Sequence, residues 1–308
     1  MHALSQADRA QLIEARRSSL EIAQRWRDGE ACRAILRRFE GGCPEALADA
    51  AEAVLAETDW AGLLAPLVAA LAANPFFEPP LRVSRDAVRT GAVLIDAPMA
   101  SISASLIDGR RLPSPATLIF PGYITVTRYL KAGGATLRRW ETEPLAPDFS
   151  AAAAAPCRPL PPLALADDDI VRCDGRTRAQ LFGEASGPIL QITATIRPGA
   201  IPLIREHRIA DGALVRVASA DEAGSRTEML LGYLRRMGRI DAAPRFEAAT
   251  RDRAFHTRWT AMREWLGLDA RSAFPRLEEM AANDPHPEVR AAAAATLATV
   301  RHRLACPA

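Results

Sequence analysis

ATLIFPGYITVTRYLKAGGATLRRWE, residues 116–141, holds three short apolar and β-branched runs at 116–120, 123–130 and 135–141. Pro121-Gly122 and Gly133-Gly134 separate them, and such dipeptides mark tight turns between strands. The same rhythm extends outward from Phe76 to about Ala220, where 92–95, 100–107, 170–172, 189–197, 201–208 and 214–218 read as further strands. Asp108-Gly109, Asp174-Gly175, Pro198-Gly199 and Asp211-Gly212 supply more turns. Many short strands joined this way predict an antiparallel sandwich or barrel. Residues 150–162 (SAAAAAPCRPLPP) read as a surface loop or mobile insertion, because their prolines remove backbone donors and their alanines offer little to bury.

Helical periodicity stands on both sides of this region. Leu12, Ala15, Ser19, Ile22 and Trp26 recur at helical spacing. Pro44 suits the first turn of another helix, and Asp59 suits the cap of one over 60–73. Beyond Asp221, Met229, Leu230, Tyr233, Leu234 and Met237 form one stripe, and Phe255, Trp259, Met262 and Leu266 a second. Leu277, Met280 and Ala281 belong to a third, and Val289, Ala293, Leu297 and Val300 to a last. The reading is therefore an α+β chain: an N-terminal helical segment (1–75), an antiparallel β-domain (76–220) with its insertion at 150–162, and a C-terminal helical segment (221–308). Without alternating β-α units a Rossmann-type sheet is not expected.

The chain has 308 residues, 49% of them hydrophobic and 25% charged, near the averages of globular proteins. Alanine makes up about a fifth of it and Lys131 is the only lysine, a bias typical of a GC-rich bacterial coding sequence. The 39 basic and 37 acidic residues leave a net charge of +2, which argues against bulk attraction to nucleic acid or anionic lipid. The eight arginines within residues 1–40 are accompanied by acids and read as a solvated helix face. The longest apolar run, 61–73, is interrupted by Pro66 and is shorter than the roughly 20 residues a membrane helix needs. The start of the chain lacks the pattern of a secretory signal, and five cysteines without a C-x-x-C pair fit a reducing compartment. The expected location is cytoplasmic.

Residues 270–300 (ARSAFPRLEEMAANDPHPEVRAAAAATLATV) resemble one HEAT-type helical repeat, through paired helices, the D-P-x-P-E-V-R turn at 284–290 and a small-residue second helix. The resemblance implies a structural pair that could dock a partner protein, with Arg290 near the turn where the family uses such an arginine between repeats. The β-domain is similar to a cupin-like double-sheet barrel in its strand rhythm and its turns, such as Pro198-Gly199. The cupin metal signature needs two histidines one residue apart, a glutamate and a later histidine. Between Phe76 and Ala220 only His207 is present, preceded by Glu206, so no metal or cofactor is expected.

On a strand, Glu206 and His207 point to opposite faces, which favours a partly exposed strand histidine over a ligand. His207 and His256 are the candidate catalytic groups, His256 as a general acid or base in a cleft between the helices and the barrel. Arg205, Arg208 and Arg226 are the candidate ligand-binding residues, able to hold a carboxylate or phosphate of a small anionic ligand. Ser225 and Glu228 match a capping box. Arg138 and Trp140 should share one face of an edge strand. The acidic triplet 167–169 lacks the ligand spacing of a calcium loop, and serine-hydrolase, P-loop, dinucleotide and zinc-protease motifs are absent from the sequence. These observations lead to a non-catalytic binding or scaffold protein recognising a partner protein or small molecule. The alternative is a cupin-like enzyme using a pocket between the barrel and the C-terminal helices.

Overall fold

A computed structural model describes residues 5–146, 149–219 and 222–305; Asp221, expected as a cap, and Cys306 lie outside the described residues. The chain forms two compact units, Met1–Thr142 with Arg158–Ala200, and Glu143–Cys157 with Ile201–Ala308. The last two strands thus group with the C-terminal helices, whereas the sequence reading drew its line at 220/221.

The first unit begins with four helices, α1 (Gln6–Arg27), α2 (Glu30–Arg37), α3 (Pro44–Glu57) and α4 (Trp60–Ala73). Pro44 does occupy the first turn of α3, where its missing amide costs nothing. Asp59 does cap α4, accepting the Gly62 amide at 3.0 Å. The strands follow: β1 (Arg82–Arg85), β2 (Arg89–Asp96), β3 (Ala100–Ile107), β4 (Thr117–Phe120), β5 (Ile124–Lys131), β6 (Thr136–Glu141), β7 (Arg158–Ala164), β8 (Ile170–Asp174), β9 (Arg178–Phe182) and β10 (Ile189–Ile196). Six of them form one antiparallel sheet in the order β1-β2-β3-β10-β5-β8.

Strand alternation divides that sheet into two unlike faces. Ile102, Ile124, Val126, Ile192, Ala194 and Ile196 pack in one buried cluster with Leu47, Ala51, Val54 and Leu55 of α3. Each isoleucine, leucine and valine among them contributes about 1.5–3 kcal/mol by leaving water. Arg128 ties helix to sheet by donating to the Leu55 and Ala56 carbonyls at 2.8 and 3.2 Å, satisfying the open C-terminal end of α3.

A second sheet, β7-β6-β9, covers one end of the other face, where Leu137, Leu163 and Phe182 meet Ile107, Tyr129 and Ile189. The expected loop over 150–162 is corrected here, since its last residues enter β7 with Pro159, Pro161 and Pro162. β7 pairs on one side only, and an edge strand tolerates missing donors. β6 is the central strand of this sheet, not the expected edge, and Arg138 does lie over the Trp140 ring at 5.0 Å. The acidic triplet is structural: Asp167 accepts from Lys131 Nζ and the Ala132 amide, and Asp168 from Arg128.

The second unit holds the hairpin β11 (Leu203–Arg208) and β12 (Leu214–Ser219), followed by α5 (Glu222–Arg236), α6 (Ala243–Ala249), α7 (Phe255–Leu268), α8 (Ala270–Asn283) and α9 (Pro287–Ala305). Gly212 turns the hairpin with φ +72°, and a Cβ there would stand 2.2 Å from the Cys157 carbonyl oxygen. Phe246, Ala261, Met262, Trp265, Leu277, Met280 and Ala293 form the helical core. Ser225 lies inside α5, so it is not the expected cap.

The sequence reading singles out one Asp-to-Arg turn, at 284–290, whereas the described residues form two, at 252–258 and 284–290. Arg290 Nη1 donates to the Asp284 and Pro285 carbonyls, and Arg258 Nη1 donates in the same way to those of Asp252 and Arg253. Asp252 and Asp284 each accept an amide two residues on. Arg258 also reaches the next turn, meeting Asp284 through two buried hydrogen bonds of 2.6 and 2.9 Å. Burial alone would raise the Asp284 carboxyl, but the Arg258 bonds, the His286 amide and the guanidinium charge hold it below its ordinary value.

Among the described residues no single helix is long and apolar enough to cross a membrane. Cys32, Cys43, Cys157 and Cys173 are free.

Candidate functional site

On the face of the six-stranded sheet turned away from α3, three neighbouring strands carry polar side chains in alternation. β3 presents Ser101, Ser103 and Ser105, β10 presents Gln191, Thr193 and Thr195, and β5 presents Thr125 and Thr127. The register aligns them in rows: Ser105, Gln191 and Tyr129; then Ser103, Thr193 and Thr127; then Ser101, Thr195 and Thr125. Thr127 and Thr193 hydroxyls share a hydrogen bond of 3.1 Å. On β2, Arg89 reaches the same row and donates to Ser105 Oγ at 2.6 and 3.0 Å. Gly91 pairs with Ser105, and a Cβ there would press on the Ser84 and Ser105 hydroxyls at 3.3 and 3.4 Å.

Gln191 is 9% exposed, and its buried Oε1 has no hydrogen-bond partner. A buried acceptor left unpaired costs about 1–3 kcal/mol, so the face carries a standing preference for a donor at that point. Tyr129 closes the apolar end against Phe182, edge to face, and burial pushes its phenol far above the ordinary value. Cys173, opposite Thr125 on β8, has its thiol pushed up to about 11 by burial, with the Asp174 charge adding to this. The face therefore offers hydroxyl and amide groups, neutral near pH 7, with Arg89 as the cation beside them. Such a surface can bind by hydrogen bonding.

The second unit contains a small cavity of about 130 Å³ lined by Phe149, Leu203, Val217, Ser219, Phe255, His256 and Glu288, among others. His256 Nδ1 stands 3.6 Å from Glu228 Oε1, and Thr257 Oγ1 donates to that same carboxylate at 3.3 Å. Phe255 stacks on the His286 ring at 3.8 Å. Glu288 accepts the Ala151 amide. An imidazole beside a carboxylate and an opening is the arrangement of a general acid or base.

The sequence candidates fall in different places. His256 lines this cavity, but His207 is 1% exposed, with Nδ1 2.8 Å from the Gly212 carbonyl. This corrects the expectation of a partly exposed histidine: the strand's inward side is covered, which local sequence does not reveal. Burial, with the Arg205 charge, lowers its pKa and keeps the ring neutral. Glu206 faces the other way and pairs with Arg216 at 3.1 Å, as strand alternation predicts.

The three arginines do not form one anion site. Arg205 is buried and donates to the Glu143 carbonyl, while Arg208, three residues on along β11, faces the opposite side and pairs with Asp211. Arg226 is exposed on α5. Among the described residues no three His, Cys, Asp or Glu side chains cluster as a metal centre would require. The polar rows were missed, although S-x-S-x-S over 101–105 and T-x-T over both 125–127 and 193–195 stand in the sequence.

No protein-family model matches the chain, and no curated protein does. Solved structures do. An ectoine synthase from P. lautus aligns over 38% of this chain and 69% of its own, at 10% identity and TM-score 0.24. A cupin domain from Bordetella pertussis Tohama I aligns over 37% of this chain and 98% of its own, at 10% identity and TM-score 0.23. An RmlC-like cupin protein from Ralstonia eutropha JMP134 aligns over 47% and 78%, at 8% identity and TM-score 0.27. The class that the chain's own elements define is α+β, with antiparallel sheets and helices at both ends. These likenesses carry no activity to it.

Proposed function

We propose that this is a non-catalytic, cytoplasmic ligand-binding protein whose six-stranded sheet takes a small hydroxyl-bearing molecule on its polar face. The observation that carries the reading is the set of aligned rows centred on Gln191, with an unpaired buried acceptor beside serine and threonine hydroxyls. Neutral donors and acceptors at strand spacing suit a ligand with several hydroxyl or amide groups, and Arg89 suits an attached acidic group. The two Asp-to-Arg turns support a short HEAT-type array in the C-terminal half, serving as a docking part for a partner protein. The test is calorimetric titration of the purified protein with a panel of small polyols, sugars and sugar acids, alongside native mass spectrometry. Micromolar binding of one class, weakened about tenfold by Thr193→Val, supports the reading. A panel with no binder, and no co-purified mass, removes it.

A second reading, an enzyme acting in the cavity of the C-terminal unit, is favoured by one observation: His256 beside Glu228 at that opening. A turnover lost in His256→Gln and kept in Thr193→Val would put this reading first.

A further inference from the structure

We infer that the first unit carries a further binding site, a cavity for an aliphatic carboxylic acid at the margin of the helical face of its six-stranded sheet. The cavity measures about 360 Å³, within the range of small-molecule sites of about 300–1,000 Å³. Trp26 lines it from the end of α1 and Leu36 from α2, Pro80 precedes β1, and Val93, Leu94 and Ile95 belong to β2. Cys32 of α2 adds a buried thiol to the wall. All of these residues lie within the same compact unit.

Two features of the sheet shape this space. Pairing between β1 and β2 ends at Arg82 and Val93, and Pro79-Pro80 just before offer no amide hydrogen to continue it. Leu94 then stands as an extra residue between Val93, opposite Ser103, and Ile95, opposite Ile102. A bulge of this kind re-aims side chains. Three consecutive residues therefore line the cavity, where regular alternation would offer every second one. Leu94 and Ile95 are both buried, in the same apolar cluster as Trp26 and Cys32. Trp26 is held in place, because its Nε1 donates to the Leu63 carbonyl at 2.7 Å. A preformed apolar wall spares a ligand part of the ordering cost of binding.

Charge selects an anion. Arg27 and Arg82 also line the cavity, alongside Asp96. Asp96 is shared by Arg82 and Arg197, so two guanidinium groups meet one carboxylate and a positive charge is left over. Arg27 makes no hydrogen bond or ion pair among the described residues. The acids next along the chain are engaged with other groups, Asp28 with Gln24 and Glu30 with Arg37. A guanidinium receives a carboxylate through paired hydrogen bonds, and the apolar wall receives the chain behind it. Aliphatic side chains outnumber the single indole in that wall, which suits an alkyl chain.

The site does not depend on the polar face, and the test separates the two. Calorimetric titration of the full chain with decanoate, below the concentration at which it forms micelles, should show one saturable site in the micromolar range that weakens with salt. Arg27→Glu should weaken it about tenfold or more, and Leu36→Trp, which fills the cavity, should abolish it. Circular dichroism should show an unchanged melting temperature for both; Arg27→Gln and Val93→Phe replace them if folding suffers. Thr193→Val should leave decanoate binding as it is. Absence of saturable binding, or binding indifferent to Arg27 and Leu36, overturns the inference. Decanol binding as tightly as decanoate overturns it too, because the arginines would then select nothing. A loss of decanoate binding in Thr193→Val would move the ligand to the polar face and overturn it as well.

Discussion

The two faces of the six-stranded sheet are written into the same strands, one residue apart. Ile192 points to α3 and is buried among isoleucines and alanines, while Thr193 points the other way, beside Ser103 and Thr127. On the first face the side chains are mostly apolar and their job is packing, with Arg128 and Arg172 binding α3 at the margin. On the second, the apolar residues Ile107, Tyr129 and Ile189 stop where the covering sheet ends, and hydroxyls take over. The helical face supplies much of the apolar burial, while the other face holds polar side chains at low exposure, with Ser105 at 3% and Thr127 at 4%.

The sharpest way to break this contrast is to cut each face in turn. Ile192→Ala should destabilise the first unit by about 2–5 kcal/mol through lost burial and a cavity, read as a lower denaturant midpoint with an unchanged slope. Gln191→Leu, its neighbour on the opposite face, should raise stability by about 1 kcal/mol, because it removes an unpaired buried acceptor while keeping similar bulk. The same variant should lose affinity for any ligand of the polar face. Thr193→Val deletes only the hydroxyl bond to Thr127 and should cost about 0.5–1 kcal/mol, with the larger effect on binding. If Thr193→Val proved as damaging as Ile192→Ala, the polar face would be a packed core and the division between faces would fall.

Much of this arrangement was legible before any coordinates. Turn dipeptides and alternation placed most strands, and Pro44 and Asp59 marked helix starts because capping is local chemistry. β7 was hidden because its prolines forbid a central strand, and sequence alone does not tell an edge strand from a loop. The burial of His207 depends on what covers β11, which is long-range information. The polar rows were visible as S-x-S-x-S. Alternating hydroxyls are equally the pattern of an ordinary solvated sheet face, so the pattern alone does not mark them.

The smallest expected effect titrates the polar face itself. Cys173 stands on it opposite Thr125, and burial has pushed its thiol up to about 11, while an unfolded thiol titrates near about 8.5. Between these values the unfolded chain has released a proton that the folded chain retains, so stability must fall as pH rises through that window. At the lower edge the loss is only a few tenths of a kcal/mol, and it grows toward the upper edge. Burial moves the Tyr129 phenol in the same direction, so its share enters above pH ~10. Denaturant melts of the native chain and of Cys173→Ala at a series of alkaline pH values separate the two. The variant should show a shallower decline between about 8.5 and 10, the remainder coming from Cys32 and Cys157, whose thiols burial also raises, and should keep the later one. An identical profile for both proteins would mean that the thiol titrates freely, and that this part of the face is open to water.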